Sequence, residues 1–243
     1  MVIETFNLAH ILTIVLMPVI IFVSANHFLA KYDERKKRAS LLFICCFNAA
    51  LYLSYKIVQV TAPGFDFDLF THLPLHFCNI NLILIPLAVY TKNKYLMAYQ
   101  LYFGVPLAGL ALVTVYPAFL STSLSEFLTF VYFFYHSMLL VLPLLLVKFK
   151  LFTPSFKIVW QPALLLIALT FMMHVVNVVF RATGIAGEAN YFFTFGLEGD
   201  FFTELLKRIV PFNFFFLLPA LLLFAPYVFL ITLPFHLSAK ANK

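Results

Sequence analysis

Long apolar runs broken by short polar connectors set the pattern of this chain, at about residues 6–29, 39–60, 73–90, 95–117, 127–147, 158–180 and 210–235. Each run is close to the roughly 20 residues that an α-helix needs to cross about 30 Å of hydrocarbon. The pattern predicts an all-α polytopic membrane protein, a bundle of seven transmembrane helices forming one domain over residues 1–243. The first run has no basic stretch before it and no small-residue cleavage site, so it reads as a retained helix and not as a signal peptide.

Composition strengthens this reading. At 63% hydrophobic and 11% charged residues, the chain carries more apolar surface than a soluble core of 243 residues can hide. Its net charge of +6 does not point to nucleic acid, because the basic residues lie in connectors and form no face. Twelve of the sixteen fall in alternate connectors and the tail, at Lys31, Arg35, Lys36, Lys37, Arg38, Lys92, Lys94, Lys148, Lys150, Lys157, Lys240 and Lys243. Eight of the ten acids fall on the opposite side, all but Asp33 and Glu34. The positive-inside rule then sets the N-terminus outside and the C-terminus in the cytoplasm.

Within the apolar runs, the exceptions carry the information. The third opens with His76, Cys78, Asn79 and Asn81, side chains costly to leave unpaired in lipid and so expected to face the bundle interior. At about 100° per residue, Cys78 and Asn81 share one face and His76 and Asn79 another, so a base for Cys78 has to come from another helix. In the second run Asn48, Tyr52, Lys56 and Gln59 recur at helical spacing and form one stripe facing protein. Lys56, near the outer end, reads either as snorkelling or as a cation beside an anionic lipid group. The fifth run carries Tyr132 and His136; the sixth carries His174, Asn177 and Arg181 on one face; the seventh starts near Pro211 with Asn213 close behind. That last run has no lysine, which removes a retinal Schiff base.

Other features read as scaffold. Asn7, His10, Asn26 and His27 mark the ends of the first helix, and Gly104 and Gly109 allow close packing in the fourth, which also holds Gln100 and Thr114. Pro18, Pro86, Pro106, Pro143, Pro162 and Pro219 are expected to bend their helices. Cys45 and Cys46 are small packing residues, and the three cysteines give no disulfide framework. Pro63-Gly64 marks a turn in an outer connector that also bears Asp66 and Asp68. Asp200 is placed to cap a short interfacial helix containing Phe201, Phe202, Leu205 and Leu206.

Depth organises the polar positions. At about 1.5 Å per residue, Cys78 lies about 7 to 8 Å below the outer start of its run, His174 about 9 Å and His136 about 13 Å. Lys56, Gln59, His76, Asn79, Asn81, Asn177 and Asn213 join them in the outer half, whereas the inner half holds little beyond Gln100 and Asn26. A transporter path should place polar groups through both halves, which these do not.

Four chemistries fit the residues. Cys78 with His136 or His174 makes a thiol–imidazole pair for acyl transfer from phospholipid esters, with amides as orienters or oxyanion donors. The others are a lipid transporter or lipid-binding module, a metal site of His76, His136, His174 and Cys78, and structural polarity alone. The partners expected are membrane phospholipids, with no cofactor.

Leu73-Pro74-Leu75-His76-Phe77-Cys78-Asn79-Ile80, Phe134-Tyr135-His136-Ser137 with Pro143 downstream, and Asn190-Tyr191-Phe192-Phe193 before an aromatic final helix together resemble the YwaF-like family of bacterial integral membrane proteins. That family looks related to a vertebrate polytopic phospholipid acyltransferase of ether-lipid remodelling. The resemblance implies a bacterial plasma-membrane protein with Cys78 as acyl-accepting nucleophile and His136 as general base. It leaves His76, Asn79, Asn81, His174, Asn177, Lys56 and Asn213 as binding or orienting groups, and no metal ligands. The chain departs from the family pattern where it lacks a Lys-Pro after the Asn-Tyr pair, and where Phe212-Asn213 replace a Trp-containing, Pro-rich start.

Overall fold

The computed structural model describes residues 2–62, 70, 73–115, 119–196 and 201–241. Six of its helical segments are long and apolar enough to cross a membrane: Leu8–Leu29, Glu34–Val60, Lys94–Val113, Phe127–Lys148, Phe156–Ala182 and Leu217–Ala239. A shorter apolar helix covers Phe77–Thr91. The all-helical, multi-pass reading of the pattern therefore holds. The chain divides into two compact units, Met1–Asp66 with Asn81–Thr153, and Phe67–Ile80 with Pro154–Lys243.

The first unit is built around α6 (Phe127–Lys148), against which α1 (Leu8–Leu29), α2 (Glu34–Val60) and α5 (Val105–Val113) pack. Asn7 caps α1 by accepting the His10 N–H, and Asp33 caps α2 by accepting the Lys36 N–H. α3 (Phe77–Thr91) leads through Asn93, which caps α4 (Lys94–Tyr99). From α4 the chain passes into a π-helical turn over Gln100–Gly104 and then α5. There the Val105 N–H reaches back to the Gln100 carbonyl, one residue further than in an α-helix. Pro106 supplies a cause: its ring has no N–H and crowds the carbonyl four residues before it. The expected bend at Pro106 is thus taken up as a widened turn. A two-residue antiparallel pair, β1 (Val2–Ile3) with β2 (Thr122–Ser123), ties the start of the chain to the entry of α6.

His10 has a structural role here. Its Nδ1 accepts the Phe6 N–H at 3.0 Å, so Nε2 carries the ring proton and donates to the Leu112 carbonyl at 2.8 Å.

The second unit holds α7 (Trp160–Ala182), α8 (Phe201–Ile209) and α9 (Leu217–Ala241), with the loop 190–196 folded against α7. Pro162 and Pro219, expected to bend their helices, lie in the first turns of α7 and α9, where the missing N–H is unbonded in any case. The stretch 211–216, expected as the opening of the last span, stays outside α9, because Phe214 adopts a left-handed conformation (φ 66°) that breaks the helix before Leu217. Pro63-Gly64, Asp66, Asp68 and Asp200 lie outside the described residues.

Candidate functional site

Cys78 stands in the first turn of α3. The sequence pattern starts this helix near residue 73, but Leu73–His76 is turn-like, and the helix begins at Phe77. Its 15 residues span only about 22 Å, less than a full hydrocarbon core. Pro74 disfavours helical geometry at Leu73, and the His76 carbonyl accepts the N–H groups of Asn79 (3.0 Å) and Ile80 (3.1 Å), which places His76 at the helix cap. Cys78 is a half-buried free thiol in this turn. Asn79 is half-buried in the same turn. The His76 ring lies 5.5 Å from that of Tyr191 and 5.2 Å from that of Phe193. Phe77 packs edge-on against Phe192. Tyr191 and Phe192 belong to a buried cluster with Met173, Ala186 and Ala189, on which Leu73, Leu75 and Ile80 also pack.

The loop Asn190–Gly196 is fastened by side chains from α7. Asn177, fully buried, accepts the Tyr191 N–H (2.8 Å) and donates to the Tyr191 carbonyl (2.8 Å) and to Thr194 Oγ1 (2.9 Å). His174 Nδ1 meets the same hydroxyl at 3.0 Å, and its ring packs between those of Phe195 and Phe214. Arg181 donates to the Ala189 carbonyl at 2.7 Å and lies over the Phe195 ring. Asn190 closes the loop on itself, accepting the Phe195 N–H and donating to the Gly196 carbonyl. Tyr191 Oη donates to the Phe70 carbonyl. At Gly196, φ is 82° and a Cβ would fall 2.4 Å from Thr203, so only glycine fits. Spacing alone groups His174, Asn177 and Arg181; the structure adds that all three hold this loop. Asn213 is exposed and contributes its backbone carbonyl to the turn before α9.

His136 lies in the first unit, on α6. Its Nδ1 is 2.8 Å from the Tyr132 carbonyl; a carbonyl only accepts, so Nδ1 carries the proton and Nε2 the lone pair. The rings of Tyr135 (3.9 Å) and Tyr132 (4.5 Å) sheathe the imidazole, which is 3% exposed. The α2 stripe divides into two parts. Asn48 donates to the Tyr135 carbonyl at 3.4 Å and Tyr52 packs edge-on against the Tyr135 ring, whereas Lys56 donates to Gln59 at 3.0 Å and lies beside the rings of Tyr52 and Tyr55. Asn81 accepts from Gln100 at 2.9 Å, both buried, which ties α3 to the π-helical turn. Gly104 leaves room beside the turn for this side chain: a Cβ there would stand 2.8 Å from Gln100 Oε1, which would have to shift.

Of the residues singled out by sequence, His174 and Asn177 come together on Thr194, and His76 joins the aromatic wall of that loop. Cys78 and His136 belong to different units. No group of three or more His, Cys, Asp or Glu side chains that could hold a metal ion occurs among the described residues. Thr194, Asn190 and Ser137 escape a reading by spacing, since Thr194 and Asn190 lie in an irregular loop and Ser137 is a small residue on an apolar helix.

Helices long enough to span a bilayer, with polar side chains buried between them, define a multi-pass integral membrane protein. The TMEM164 family profile matches residues 5–232, and the chain belongs to that family. No curated protein and no solved structure matches it.

Proposed function

We propose that this protein is a membrane-embedded phospholipid acyltransferase or transacylase that uses Cys78 as nucleophile and His136 as base, facing the outer leaflet. The observation that carries the reading is the position of Cys78, a half-buried free thiol in the first turn of α3. His136 supports it, because an imidazole held through Nδ1 keeps Nε2 available as proton acceptor. In the first half-reaction the thiol proton passes to Nε2, the S–C bond forms at the acyl carbonyl, and the lysolipid leaves with the proton. In the second, an acceptor lipid hydroxyl gives its proton to Nε2 and attacks the thioester, and the thiol is restored. Asn79 is the proposed oxyanion donor. Lys56 is proposed to meet the lipid phosphate, and His76, Asn81, His174, Asn177 and Asn213 to shape the pocket. The reading includes seven spans, with the short helix Phe77–Thr91 as the third, an outer N-terminus, and a YwaF-like relationship in a bacterial plasma membrane.

Purified protein given acyl-labelled phospholipid is expected to acquire a hydroxylamine-sensitive label that Cys78→Ala abolishes. His136→Gln is expected to slow labelling by about 10²-fold or more. Equal covalent label on Cys78→Ala would remove the nucleophile. Reversible lipid binding with no label in the wild type would favour a non-catalytic lipid transporter or lipid-binding protein instead. Topology is tested by Lys36→Cys in intact cells: labelling by an impermeant thiol reagent from outside would reverse the orientation.

A further inference from the structure

A concave apolar groove of about 320 Å³ runs between α1, α2 and α6, at the lower end of the roughly 300–1,000 Å³ typical of ligand pockets. Ile20, Phe28, Phe43, Phe47 and Leu142 line it, with Ser24 the polar exception. Neither Cys78 nor His136 reaches it. The lining extends to Phe28, one residue short of the end of α1, and to Leu145 in the last turn of α6.

That end of the three helices is strongly cationic. The α1–α2 connector and the first turns of α2 bring Lys31, Arg35, Lys36, Lys37 and Arg38, and the end of α6 brings Lys148 and Lys150. Lys37 Nζ lies 5.3 Å from the centre of the Phe149 ring, which fixes it beside the end of α6. The two nearby acids are engaged in holding α2. Asp33 accepts the Lys36 N–H at 2.8 Å as helix cap, and Glu34 pairs with Arg38 at 3.1 Å. Arg38 is turned inward to the Val89 carbonyl. Lys31, Arg35, Lys36, Lys148 and Lys150 have no ion pair among the described residues. A hydrocarbon slot closed by a cationic rim has the polarity of one lipid molecule: apolar chain, then phosphate.

We propose that this groove binds an anionic phospholipid of the adjoining leaflet, with one acyl chain along Phe28, Phe43 and Phe47 and the phosphate among Lys36, Lys37 and Lys148. The site is independent of the chemistry assigned to Cys78.

The test is native mass spectrometry of the full chain in detergent with phosphatidylglycerol or phosphatidylcholine added. One phosphatidylglycerol is expected to be retained about tenfold more strongly than phosphatidylcholine, the scale of one to two lysine–phosphate attractions. Ala25→Trp, which fills the groove, is expected to lose both lipids. Lys36→Glu with Lys148→Glu, both exposed and outside the packing, is expected to abolish the preference for phosphatidylglycerol while the protein stays folded. Leu222→Trp, on an exposed face of α9, should leave retention unchanged. Equal retention of the two lipids by the wild type, or a preference that survives the charge reversal, would overturn the proposal. A dimer without bound lipid that Ala25→Trp dissociates would overturn it as well, making the groove the seat of a second copy.

Discussion

The loop Asn190–Gly196 and the surroundings of α6 use the same kinds of polar side chain in opposite ways. In the loop, Asn177 and Asn190 engage both their oxygen and their nitrogen with backbone or with Thr194, and His174 shares that threonine. Around α6, Asn48 Oδ1, Gln100 Oε1 and Ser137 Oγ are buried without a hydrogen-bond partner among the described residues. Polarity inside an apolar helix is therefore not in itself a mark of chemistry. Where buried backbone leaves its helix, amides are needed to satisfy its N–H and C=O groups, and their presence is explained by that need. Where one of their atoms stays unsatisfied in the packed interior, it keeps a desolvation cost that the surrounding packing has to offset.

The largest test of this contrast is Asn177→Leu. It removes three hydrogen bonds and strands the buried N–H and C=O of Tyr191, so a loss of about 3 kcal/mol or more is expected in equilibrium unfolding from mixed micelles. A loss below about 0.5 kcal/mol would mean that the loop is not held by this amide. Gly104→Ala should cost about 1 to 2 kcal/mol, because Gln100 Oε1 has to move out of the way of the new methyl. A double-mutant cycle should then show the Gln100–Asn81 coupling reduced towards zero in that background. The smallest effect is expected at Ser137. Its hydroxyl has no partner among the described residues, so Ser137→Ala should change stability by less than about 0.5 kcal/mol, or raise it slightly, in the same unfolding measurement. A large loss there would place a bonding partner on Ser137 and erase the contrast.

The helices were legible because one rule governs them: the bilayer demands about 20 apolar residues per crossing, and few other sequences supply that. Their irregularities were less so. Pro106 announces a fault in its helix, but not that the fault becomes a π-helical turn at Gln100–Gly104, since the outcome depends on neighbours packed around it. The start of α3 at Phe77 follows from Pro74 acting on Leu73, a local effect hidden by the unbroken hydrophobicity of Leu73 and Leu75. Phe214 in a left-handed conformation has no sequence signature, because phenylalanine rarely adopts one. At the candidate site, the grouping of His174, Asn177 and Arg181 was readable from helical spacing. Their common partner was not, since an irregular segment 8 to 20 residues further on supplies it.

The left-handed pair Phe192 (φ 57°) and Phe193 (φ 54°) has a consequence for how this protein can vary. Two bulky residues in that region cost about 1 to 2 kcal/mol each, and the loop keeps them only because its bonds are counted out residue by residue. Asn177 grips Tyr191 and Thr194, and Asn190 grips Phe195 and Gly196. Inserting or deleting a single residue between 190 and 196 would put at least one of these grips on the wrong partner. Surface loops are ordinarily where lineages gain and lose residues; this one behaves as a fixed-length part, and relatives that conserve the clamp should differ here by substitution and not by length.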